Sequence, residues 1–164
     1  MKKAIFALVM MVMIMPFSNG QETTETTETI DAINFIARDI AGNNVELSAY
    51  KNKVVLLDFW ATWCGPCRQE IPNLLDIKES FKNTPFEIIS IALERGNTDT
   101  VKRFIEEQKM NWVHIIDLTS CRQIAEKYQI RYIPTMFLIR NGKILATDLR
   151  GQELKEKIKQ LVFK

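Results

Sequence analysis

At 164 residues and 46% hydrophobic composition, the chain has room for one domain with a real core, because burial on folding is already adequate below this length. Lys and Arg total 22 against 20 Asp and Glu. The two extra cations, Lys2 and Lys3, stand at the N-terminus, so the remainder is balanced and shows no clustered Lys and Arg interleaved with aromatics. That pattern argues against a nucleic-acid partner.

In chain order, Lys2 and Lys3 precede an apolar run from Ala4 to Phe17, and small Ser18 and Gly20 follow. Residues 1–20 therefore read as a secretory signal peptide. The run is shorter than the roughly 20 apolar residues that cross a bilayer, so membrane contact is expected only if the leader stays uncleaved. A tether is predicted over 21–32, opened by QETTETTET, whose charge and threonine offer no aliphatic surface to offset ordering. The domain is predicted over 33–164.

Within it, INFIARD and VELSAY read as strands around a turn at Gly42 to Asn44, followed by strands VVLLDFW, FEIISIAL, WVHIID and the pair in MFLIRNGKILA. Asn141-Gly142 between two apolar runs is a hairpin signal, since both central positions of a type I′ turn need positive φ. Helices fall between the strands. CRQEIPNLLDIKESF is helix-like, with Pro72 expected to kink it. Thr98 or Asp99 is expected to cap a helix whose face is Val101, Phe104 and Ile105, and Thr119 another with Cys121, Ile124, Ala125 and Tyr128. The last helix aligns Leu154, Ile158, Leu161 and Val162. Alternation of this kind implies an α/β fold with a mainly parallel sheet covered on both faces and an antiparallel hairpin near the end.

The chemistry concentrates in DFWATWCGPCRQEIP, where Cys64 and Cys67 stand at a strand-to-helix junction. As a structural staple, so short a loop gains roughly 2 kcal/mol, against about 3 for a 15-residue loop. As a metal site it needs about four ligands, and beyond the pair the chain holds only Cys121 and the single His114. A redox couple needs a thiolate, and a helix N-terminus lowers a thiol pKa through its dipole and free N–H groups. Cys64, nearer the helix start, is then the exposed nucleophile and Cys67 the sulfur that resolves the mixed disulfide. Pro66 loses no needed donor in the first turn, and Gly65 lets a partner chain approach. Cys121 reads as a buried small hydrophobe and His114 as a structural histidine.

DFWATWCGPC resembles the active-site segment of thioredoxins almost residue for residue, and ATWCGPCRQEIP is similar to the TlpA/ResA-like branch of exported thioredoxin-family reductases. FIARDIAGNNVELSAYKNKVVLL is similar to that branch's N-terminal hairpin, residues 99–117 to its helix-strand insertion, and IRYIPTMFLIRNGKIL to the family's cis-proline strand and final hairpin. The resemblance covers about residues 33–163. It implies a thioredoxin fold, a central mixed sheet flanked by helices, with an N-terminal β-hairpin. It makes Cys64 the nucleophile, Cys67 the resolving cysteine and Pro134 a cis-proline facing the pair, with the backbone of Ile133 offered to an incoming peptide as an added strand. It places Asp58 on the family's buried acid, whose raised pKa would let it exchange a proton with Cys67. Glu70 matches an acidic residue of that branch, which often has asparagine at the position of Asp58. Trp63, beside the nucleophile, presents a flat surface to partners.

The function expected is an envelope, periplasmic thiol-disulfide oxidoreductase acting through its own dithiol with no other cofactor. Its expected partners are disulfide-containing envelope proteins, such as apocytochrome c, and a membrane thiol electron donor. Two alternatives stand beside it. A thiol peroxidase of the same fold uses a Pro-x-x-x-Thr-x-x-Cys segment, whereas Thr62 here is two before Cys64. A metal-binding module of that fold places a histidine late in the chain, and His114 precedes the Pro134 strand.

Overall fold

The computed structural model describes residues 29–164, so the leader and most of the tether lie outside the described residues. The elements are β1 (Ile30–Asp31), β2 (Ile36–Arg38), β3 (Asn44–Glu46), β4 (Val54–Trp60), α1 (Gly65–Ser80), β5 (Phe86–Ala92), α2 (Thr98–Glu107), β6 (Val113–Ile115), α3 (Leu118–Lys127), β7 (Thr135–Arg140), β8 (Lys143–Thr147) and α4 (Gly151–Val162). Six strands form one sheet in the order β1-β8-β7-β4-β5-β6, and β2 and β3 form a separate hairpin.

The central strand β4 is VVLLDFW, buried at every position. A strand apolar on both faces needs cover on both, and alternation divides its side chains between two layers. Val54, Leu56 and Trp60 face a core with Ile71, Leu74 and Ile77 of α1, Val101 and Ile105 of α2, and Leu154 and Ile158 of α4. Val55, Leu57 and Phe59 face the other, with Ile124 of α3, Tyr128 at its C-cap, Ala37 and Val45 of the hairpin and Phe35 just before it. The Tyr128 hydroxyl ties the hairpin down by donating to the Ile33 carbonyl at 2.8 Å. The helix faces expected from spacing are those that pack.

The sheet is mixed, as the family resemblance implies, rather than mainly parallel as alternation alone suggests. β5 runs parallel to β4 and β6 to β5, whereas β7 is antiparallel to β4, β8 to β7 and β1 to β8. Strand–helix alternation carries no signal of direction, and the long return through α3 brings β7 back reversed against β4. The turn between β7 and β8 takes the expected form, with φ of 51° at Asn141 and 72° at Gly142.

Other differences are local. Two residues of the segment read as a tether, Ile30 and Asp31, add β1 to the edge of β8, with Asp31 paired to the Lys143 ammonium at 2.6 Å. VELSAY is a strand only to Glu46; Leu47–Tyr50 forms a 3-10 turn. Asn34 Oδ1 accepts the Ser48 N–H at 2.9 Å there, so a side chain replaces a ladder partner. Helix α2 is capped by Asn97, whose Oδ1 accepts the Asp99 N–H at 2.7 Å, and α3 by Asp117, whose Oδ1 accepts the Ser120 N–H at 2.8 Å. In both cases the capping oxygen precedes the expected residue, which has already turned helical. Pro72 sits inside α1, and the helix continues through it. Among the described residues no helix is long and apolar enough to cross a membrane.

Candidate active site

β4 delivers the chain to the C-terminal edge of the parallel strands, where an αβ sheet habitually places its chemistry. The Trp60 carbonyl accepts the Leu93 N–H at 2.7 Å, and the Ala61 carbonyl accepts the Cys64 N–H at 3.1 Å. The second of these bonds closes the turn that puts Cys64 at the N-cap of α1, with proline in the first helical turn. Cys64 Sγ accepts the Cys67 N–H at 3.2 Å. A sulfur in that position meets a donor and the positive end of the helix, both of which favour thiolate. Cys64 and Cys67 form a disulfide with their α-carbons 5.2 Å apart.

Cys64 was expected to be exposed, yet in the oxidised state the two cysteines are almost equally buried, at 5% and 4%. Both pack into the core with Trp60, Ala61 and Ile71. Exposure instead falls on Trp63, at 50%. The Arg95 guanidinium lies over its ring, 4.5 Å from the centroid, and Glu94 accepts the Thr62 N–H. Gly65 is exposed, and a β-carbon there would meet nothing within 4 Å. The fold itself does not require glycine at this position.

Asp58 lies on the α1 face of β4, 2% exposed. Burial pushes its carboxyl up to about 7; the Ser90 hydroxyl bond and the Arg150 charge oppose that rise, and the Glu70 charge adds to it. Ser90 Oγ donates to Asp58 Oδ2 at 3.0 Å. A carboxyl poised near neutrality on the strand that leads to a dithiol is suited to proton exchange. Glu70 stands in the second turn of α1, partly buried, and accepts a bond from Asn73 Nδ2 at 3.1 Å.

The Ile133-Pro134 peptide is cis. Because Phe59 pairs with Thr135, Pro134 immediately precedes β7 beside the C-terminal end of β4, and Ile133 packs against the core that holds both cysteines. An open groove of about 360 Å³ runs beside it, lined by Trp63, Leu93, Ile130, Arg131, Tyr132 and Ile133.

Several residues here carry no obvious sequence signal. Asp148 accepts bonds from the Met136 N–H at 3.0 Å and the Tyr132 hydroxyl at 3.1 Å, and Arg150 donates to the Pro134 carbonyl at 2.8 Å. These bonds anchor the Pro134 segment. Cys121, 1% exposed, donates to the Ile115 carbonyl, and burial pushes its thiol up to about 12. His114 is likewise internal, its Nε2 bonded to the Met110 carbonyl at 2.9 Å and its pKa pushed down by burial to about 4.

A dithiol at a helix N-terminus, a buried acid on the strand that leads to it and a cis-proline at the entry to the neighbouring strand define a thioredoxin-like thiol-disulfide oxidoreductase. The chain belongs to the AhpC/TSA family, whose profile matches residues 30–147. It is 34% identical over 136 residues to the thiol-disulfide oxidoreductase ResA of Bacillus thuringiensis, an alignment covering 82% of this chain and 76% of that protein. Among solved structures, the thioredoxin domain of a Bacteroides vulgatus thiol-disulfide oxidoreductase matches with a TM-score of 0.74 at 33% identity, covering 81% of this chain and 96% of that one. A thiol:disulfide interchange protein from Bacteroides sp. matches equally, with a TM-score of 0.74 and 33% identity over 83% of this chain and 90% of that one.

Proposed function

We infer that the protein is an exported reductase of protein disulfides, working in the periplasm or cell envelope on substrates such as the apocytochromes of cytochrome c maturation. The observation that carries this reading is the Cys64–Cys67 disulfide at the N-terminus of α1, in the strand-to-helix turn that follows buried Asp58 on β4. The oxidoreductase names of the relatives favour it over the peroxidase alternative.

In the reduced protein the Cys64 thiolate attacks a partner disulfide, forming a mixed disulfide and releasing one partner thiol. Cys67 loses its proton to Asp58 and attacks Cys64 Sγ, so the second partner thiol leaves and the Cys64–Cys67 disulfide forms. Two electrons pass to the partner. Gly65 and Pro66 leave the approach to the pair open, and the backbone of Ile133, which precedes β7, accepts the partner as a short added strand. Glu70 tunes Asp58 through its charge. The dithiol is the whole cofactor, and a membrane thiol protein recharges it. The apolar leader over 1–20 supports export.

The reduced protein is expected to reduce an oxidised Cys-x-x-Cys-His peptide, the c-type haem attachment motif, with the thiols appearing stoichiometrically. Failure to do so while small disulfides are still reduced contradicts the proposed substrate class. Trp63→Ala is expected to raise KM for that peptide about tenfold, the equivalent of roughly 1.4 kcal/mol of aromatic contact, with little change for a small aromatic disulfide.

A further inference from the structure

Register places Asp58, Ser90 and His114 side by side across β4, β5 and β6. Alternation puts all three on the sheet face covered by α1, α2 and α4, with Trp112 two residues before His114 on that same face. Ser90 is 0% exposed, the one polar residue in the apolar run IISIA. Trp112 Nε1 donates to Ser90 Oγ at 2.9 Å. An indole N–H has no acceptor capacity, so the direction of that bond is fixed. Ser90 has one proton, and it goes to Asp58 Oδ2 at 3.0 Å. Among the described residues Asp58 Oδ1 has no hydrogen-bond partner, although it is buried.

We propose, resting on the proton role of Asp58 given above, that Ser90 is a positioning residue. Its hydroxyl, oriented by Trp112, holds Oδ2 as an acceptor and leaves Oδ1 as the oxygen that takes and returns the Cys67 proton. The chain is directional, from indole to hydroxyl to carboxylate, and stabilises the charged carboxyl through Oδ2. The other groups acting on Asp58 reach it through charge alone: Glu70 from α1 disfavours ionisation and Arg150 at the start of α4 favours it. His114 on β6, pushed down to about 4, is neutral at working pH, and β7 presents Met136 opposite Asp58. Ser90 is thus the direct donor in this set.

The test is a carbon-13 titration of aspartate carboxyls in the oxidised protein, with the Asp58 signal identified by its loss in Asp58→Asn. Wild type is expected to titrate near 7. Ser90→Ala, which removes a single oxygen, is expected to raise the midpoint by roughly one pH unit, the size of a hydrogen bond to a charged group. Trp112→Phe raises it less, because the hydroxyl remains but is free to turn. The pH profile of the mixed-disulfide resolving step moves with the titration, whereas a merely structural serine would leave both in place. An unchanged midpoint in Ser90→Ala overturns the proposal while the role of Asp58 stands. A resolving step whose pH profile survives Asp58→Asn overturns both.

Discussion

Replacing Cys64 with serine removes disulfide reductase activity down to the background of the reductant alone, and replacing Cys67 with serine leaves the partner covalently attached. The asymmetry follows from position. Cys64 caps α1 and its sulfur already accepts the Cys67 N–H, so in the reduced protein it is the sulfur whose negative charge the helix stabilises. Serine retains the capping bond but gives no comparable nucleophile at neutral pH. Cys67 sits one turn inside and acts as the sulfur that resolves the mixed disulfide. Its loss therefore spares attack and stops release. Mass spectrometry of the trapped adduct checks this, as does a reductase assay with an insulin-type protein disulfide. Either variant loses the disulfide from the oxidised fold, a change of about 2 kcal/mol for so short a loop, which is too small to unfold it. Equal activity in Cys64→Ser and wild type would mean that the pair is a staple.

Asp58→Asn is the second large effect, and it acts in opposite directions on rate and stability. The resolving step slows by about 10²–10⁴, the usual range for a lost general base. Stability rises. The carboxyl has a folded pKa raised from 3.8 to about 7 by burial, so between those values the unfolded chain has released a proton that the native state keeps. Native stability is therefore fully present below about 4 and falls as pH rises through about 7. Above that pH the buried charge costs up to about 4 kcal/mol, from a shift of roughly three units at 1.36 kcal/mol each. Asparagine removes that loss. Denaturant unfolding of the oxidised protein is expected to show the variant more stable than wild type at pH 8 and nearly equal at pH 4; equality at both would place Asp58 in contact with solvent.

The central strand and the cysteine turn were legible in the chain because their signals are local. VVLLDFW announces a strand buried on both faces, and Cys64, Gly65, Pro66 and Cys67 carry helix-start chemistry in four residues. Asn141-Gly142 specifies a turn conformation, and the turn adopts it. What escaped depends on partners far away in sequence. β1 is two residues that are a strand only because β8 offers an edge, and the reversed direction of β7 is implied by the family resemblance and not by strand–helix alternation. The caps of α2 and α3 moved because adjacent Asn97, Thr98 and Asp99, or Asp117 and Thr119, are all capable cappers, and the entry angle of the backbone chooses among them. Ser90 was visible only as a polar break in IISIA. Its meaning required Asp58 on one neighbouring strand and Trp112 on the approach to the other. Asp148 and Arg150 lie in a loop whose sequence gives no hint that it braces Pro134.

The central claim, that Cys64 and Cys67 form a reducing couple, is tested most directly by its reduction potential, measured by equilibrating the purified chain against defined thiol buffers and trapping the free thiols. The Gly-Pro dipeptide between the cysteines predicts a value near thioredoxin's, roughly −270 mV or below, which requires a donor to recharge the protein in an oxidising compartment. A value nearer about −120 mV would contradict the account and make the protein an oxidant on the same fold.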